Sequence, residues 1–198
     1  MIRTFILIFL THLSIATIFG QERIWITQSK ISDVIAFEKK VDPDVTFLSQ
    51  NESLSKDYYP LADKHQVVNP VIAQRKPISY LPVYAEYFYT PDDSLLRLVS
   101  YNWEKDRYGN FFDQQTVWKA ERKKLDAYDK EYLRIRSMLF SSLGQPISTD
   151  SLPKEVSSDE GKYYTSETVW DSADIHADLN MIFAPATYRV RLTLYWKN

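Results

Sequence analysis

Residues 175–196 read IHADLNMIFAPATYRVRLTLYW, and their alternation decides the fold. Ile175, Ala177, Leu179, Met181 and Phe183 alternate with His176, Asp178 and Asn180. Beyond residues 184–187, Tyr188, Val190, Leu192, Leu194 and Trp196 alternate with Arg189, Arg191, Thr193 and Tyr195. A period of two is the signature of strands with one dry and one wet face. With four residues between Phe183 and Tyr188, the hairpin register predicts Phe183 opposite Tyr188, Leu179 opposite Leu192 and Ile175 opposite Trp196 on the buried face.

Working outward, residues 162–170 form a third strand ahead of that hairpin. Residues 83–89 and 95–103 are rich in aromatic and β-branched side chains and flank the turn residues Thr90, Pro91, Asp92 and Asp93. A four-residue loop there places Glu86 opposite Arg97 and Tyr84 opposite Val99. Leu125, Tyr128, Tyr132, Ile135, Leu139 and Leu143 recur every three or four residues, which predicts one long helix over about 114–143, stopped by Gly144 and Pro146. Glu121 with Lys124, Asp126 with Lys130 and Glu131 with Arg134 are expected on its solvated side. Ile31, Val34 and Ile35 indicate a short helix after a Ser29 cap, ending near Pro43. Residues 42–77 show no sustained period and read as irregular, and 145–161 read as an exposed connection. The order α-β-β-α-β-β-β defines an α+β class: an antiparallel sheet of about five strands packed against one long helix.

The N-terminal 20 residues carry one early cation, Arg3, ahead of an apolar run from Phe5 to Leu10 that continues brokenly to Phe19. That run is too interrupted for a membrane span of about 20 apolar residues and fits a cleavable secretory signal, with Gly20 as the small residue before the cut. The expected mature chain is a single domain over 21–198, periplasmic or extracellular, with no membrane span after signal removal. Losing Arg3 takes the net charge from −2 to −3. Charges of both signs are interspersed, which argues against nucleic acid as a partner. With only four glycines, the chain carries neither of the glycine-rich phosphate-binding motifs. The absence of cysteine excludes disulfides, thiol nucleophiles and thiolate metal sites.

The remaining chemistry is sparse. His65 and His176 have no metal-ligand spacing, and no G-x-S-x-G turn exposes a serine, so neither metal nor cofactor is expected. Asp92 and Asp93 are turn residues. Glu104 and Asp106 lie among Trp103, Tyr108, Phe111 and Phe112, the pairing of acids with stacking aromatics that a sugar-cleaving site would use. Aromatics make up 15% of the chain, and 101–112 is their densest cluster outside a core stripe. Tyr101, Trp103, Glu104, Asp106, Arg107, Tyr108 and Asn110 are therefore the candidate ligand-binding residues. The function expected is an exported, non-enzymatic binding domain for a protein or cell-envelope glycan. The alternatives are an extracytoplasmic hydrolase of glycans or peptides using carboxylates, and a carrier of a small hydrophobic ligand.

Overall fold

The computed structural model describes residues 23–198, except Ser53, Asp106, Asp159, Glu160 and Ala186. The secretory signal expected over 1–20 lies outside the described residues. The described residues form helices α1 (Ile31–Val41), α2 (Phe111–Glu121) and α3 (Leu125–Leu143) and nine strands: β1 (Thr46–Leu48), β2 (Val71–Arg75), β3 (Val83–Tyr89), β4 (Leu96–Trp103), β5 (Ser148–Thr149), β6 (Lys154–Ser158), β7 (Gly161–Asp171), β8 (Ile175–Ala184) and β9 (Thr187–Trp196). They make one antiparallel sheet in the order β1-β2-β3-β4-β9-β8-β7-β5, and β6 pairs with β7. No helix among the described residues is long and apolar enough to cross a membrane.

The final hairpin pairs as its alternation requires: Phe183 with Tyr188, Leu179 with Leu192, Ile175 with Trp196. Its dry face meets the stripe of α3, where Tyr128, Tyr132, Ile135 and Leu139 are buried against Leu179, Met181, Leu192 and Leu194. Each large apolar side chain enclosed there contributes about 1.5–3 kcal/mol.

The one helix expected over 114–143 is two. Trp118 and Tyr128 both touch the ring pair Phe183 and Tyr188, at centroid distances of 5.2–5.3 Å and 5.1–6.4 Å respectively. On a straight helix ten residues span about 15 Å, too far for both to reach one ring pair. The break after Glu121 folds α2 back and resolves this. It also buries Glu121 beneath the Tyr80 and Tyr128 hydroxyls, both of which donate to its carboxylate. Glu121 and Glu131 are therefore not solvated, although they keep their partners Lys124 and Arg134.

Nine strands replace the expected five. β1 and β2 arise within 42–77, and β5 and β6 within 145–161. β1 and β5 are too short to show a period, and β2 is enclosed on both faces, so Ile72 and Ala73 are equally buried. α1 starts from Lys30 rather than a Ser29 cap. The β3–β4 register also differs from expectation: Glu86 opposes Ser100 and Tyr84 opposes Asn102, with a bulge at Phe88 and Tyr89. The turn is longer because Ser94 takes a left-handed conformation (φ 58°), while Asp93 accepts from the Leu95 N–H and holds Arg97 at 2.6 Å. Arg97 is thus spent inside the turn.

A charged network ties α1 to the sheet. Arg75 donates to Glu38 through Nε (2.5 Å) and Nη2, and to the Arg23 carbonyl at 2.7 Å. The Tyr87 hydroxyl also donates to Glu38 and lies 3.0 Å from the Tyr101 hydroxyl. The other face of the sheet is covered too. Tyr59 is buried with Phe88 and Leu98 beneath Leu54, Tyr58, Leu61 and Val67 of the irregular segment.

Candidate functional site

β4 delivers the expected 101–112 segment to three different places. Strand alternation turns Tyr101 and Trp103 into the α3 side of the sheet, where both are fully buried. Tyr101 stacks on Trp103 with centroids 5.9 Å apart, and its hydroxyl accepts the Trp25 backbone N–H at 2.7 Å. Burial pushes that hydroxyl up to about 12. These two residues are packing, not an exposed patch, which corrects the sequence expectation. Asn110 is a helix cap, accepting the N–H groups of Phe112 and Asp113 at 3.0 and 3.1 Å. Asp106 lies outside the described residues.

Glu104, Arg107 and Tyr108 do come together, on the opposite face, around Glu86, for which the hairpin reading expected Arg97 as the partner. Glu86 is 2% exposed and accepts from Arg107 Nε at 2.5 Å and from the Tyr108 hydroxyl at 2.8 Å. Arg107 reaches Glu104 at 3.0 Å through Nη1. Against burial, the Glu86 and Glu104 carboxylates raise the Arg107 guanidinium above its ordinary value, and burial followed by Glu86 raises the Tyr108 hydroxyl. Glu104 is accordingly held by the Arg107 cation, which it shares with Glu86.

From Glu86 on β3 the polar face continues in register across β4, β9, β8 and β7. One row runs Glu86, Ser100, Thr193, Asp178; the next runs Tyr84, Asn102, Arg191, Asn180, Glu167. Arg191 donates through Nε to Asn102 Oδ1 at 2.5 Å, and its guanidinium lies 5.4 Å from the Tyr58 ring centroid. His176 holds Asp171 at 2.9 Å and stacks on Tyr195 at 4.9 Å.

The segment above this face leaves two adjoining cavities. One, of about 230 Å³, is lined by Glu52, Leu54, Glu86 and Arg107; the other, of about 170 Å³, by Asp57, His176, Asp178, Asn180 and Thr193. Both are bounded by Tyr58 and Arg191. Among the described residues, the Tyr58 hydroxyl, Asp178 Oδ1, Asn180 Oδ1 and Arg189 Nε are buried without a hydrogen-bond partner. Natural folds leave few such groups, and each costs about 1–3 kcal/mol. Burial, then Glu167, pushes the Asp178 carboxyl up against the opposing pull of Asn180, His176 and Arg191. Burial, then Arg191, lowers the Arg189 guanidinium to about 10.

No group of three or more His, Asp or Glu among the described residues is placed to hold a metal ion. Sequence reasoning marked the wet face of the last hairpin but did not treat it as a site. The available signal was Arg191 on the wet face of one strand opposite Asn180 on the other, with Asp178 two residues along opposite Thr193. No family model, curated protein or solved structure matches this chain.

Proposed function

We propose that this protein is an exported, non-enzymatic binding domain, working in the periplasm or outside the cell. It takes a cell-envelope ligand in the trough between residues 54–60 and the polar face of β8 and β9. One observation carries the reading: two cavities meet at Tyr58 and Arg191, and on their walls the Tyr58 hydroxyl, Asp178 Oδ1 and Asn180 Oδ1 have no hydrogen-bond partner among the described residues. Together the cavities fall at the small end of the about 300–1,000 Å³ range of ligand sites. Binding is favoured over hydrolysis because Glu104 is committed to Arg107. It is favoured over a hydrophobe carrier because aromatic and aliphatic side chains fill the layer between α3 and the sheet.

A fragment screen on the ¹⁵N-labelled protein tests the site. Amide shifts from polar fragments should cluster at residues 54–60, 178–180 and 191–193. Fragments that bind only elsewhere, or none at all, would sink the assignment.

A further inference from the structure

The trough also specifies what it binds, an inference that rests on the site proposed above. We propose that the ligand is a neutral, polyhydroxylated molecule: an uncharged sugar unit, free or at the end of a glycan.

The trough carries unmet hydrogen-bonding groups of both kinds. Asp178 Oδ1, on the wall of one cavity, needs a donor. Asn180 and Tyr58 each carry groups of both kinds. Arg191 spends only Nε on Asn102, so its two terminal nitrogens have no hydrogen-bond partner among the described residues. The sheet register interleaves these needs: Arg191 sits directly opposite Asn180, and Asp178 opposite Thr193, one step along the same strands. Such neighbours are about 5 Å apart, so donors and acceptors alternate over the width of one small ring.

Charge decides among ligand classes. An anion attracted to Arg191 meets Asp178, with Glu52 and Asp57 on the walls of the same two cavities. A cation attracted to Asp178 meets Arg191, with Arg189 nearby on the same strand and Arg107 in the adjoining cavity. Either charge places like against like in a half-desolvated space, where the penalty is large. Neutral hydroxyls escape that penalty. Each donates one hydrogen bond and accepts two, so a ring of hydroxyls answers an alternating set that a purely donating or accepting ligand cannot.

The test is a titration of the ¹⁵N-labelled protein with glucose, galactose and N-acetylglucosamine, alongside glucuronate and glucosamine as charged congeners. At least one neutral sugar should shift the amides around 178–180 and 191–193 and bind more tightly than both charged forms. Tyr58→Phe and Asp178→Asn each remove hydrogen bonding while keeping shape, and should weaken that binding by about tenfold. Glucuronate or glucosamine binding more tightly would overturn the inference. So would unchanged affinity in both folded variants. If polar fragments occupy the trough and no neutral sugar does, the ligand class is wrong and the site stands; if nothing enters the trough, the site itself is wrong.

Discussion

Glu38→Gln should cost this protein about 3 kcal/mol of stability, although no surface group changes. Glu38 is fully buried and Arg75 is 2% exposed, so the pair is desolvated on both sides. The guanidinium touches both Glu38 oxygens and the Arg23 carbonyl, and it lies 5.6 and 5.5 Å from the centroids of the Phe37 and Tyr101 rings. Neutralising one partner of a buried pair costs about 3–5 kcal/mol, because the other charge stays buried without compensation. The two ring faces and the Arg23 carbonyl keep part of the cation's stabilisation, which places the loss at the lower end. For a chain of this size that is a fall in Tm of about 6–12 °C. Urea unfolding at neutral pH reads it directly, provided the m-value is unchanged. The double variant Glu38→Met with Arg75→Met removes both charges and should lose less than Glu38→Gln alone. A single-variant loss under about 1 kcal/mol, or a double variant at least as damaged, would refute the claim that this network is a closed, desolvated unit.

Two further outcomes follow from the placement of individual residues. Trp103→Ala should cost about 3–5 kcal/mol, since the side chain is fully enclosed; a variant with wild-type stability would return Trp103 to the surface role that its sequence context suggests. Burial, then Arg97 and Lys64, depresses the His65 imidazole below its ordinary value of 6.5 while its Nδ1 holds the Tyr59 hydroxyl at 2.6 Å. The unfolded chain then binds the proton more readily, so stability should decline as pH falls below about 6.5, and His65→Gln should flatten that decline; an unchanged pH profile in the variant would rule out His65 as its source.

Where local pattern and burial coincide, the fold was legible. The last hairpin has one apolar and one polar face per strand, and the pairs Phe183–Tyr188, Leu179–Leu192 and Ile175–Trp196 follow from alternation and loop length alone. The α3 stripe was readable for the same reason. β3 and β4 defeated this reading because both of their faces are covered, so VYAEYFY and LRLVSYNW carry no alternation to set the register. Their pairing depends instead on a left-handed Ser94 and a bulge, which local pattern does not encode. The break between α2 and α3 depends on a ring pair more than fifty residues downstream. The binding segment was misread for a related reason. Tyr101, Asn102 and Trp103 look like one cluster in sequence, yet a strand sends the first and third to one face and the second to the other.

The same alternation makes sense of the trough. Tyr101 and Trp103 help close the core, while Asn102 between them holds Arg191 across to β9 on the opposite face. A strand that fixes the fold with its odd positions is thereby able to position a polar side chain with its even ones. Stability alone would favour apolar residues at Asp178 and Asn180, because burial near residues 57–60 leaves an oxygen of each without a partner. The chain instead keeps two acceptors facing a cation that is only partly engaged. Such a concentration of unmet polar groups on one face of a sheet is the arrangement expected when a ligand, rather than the fold, completes the hydrogen bonding.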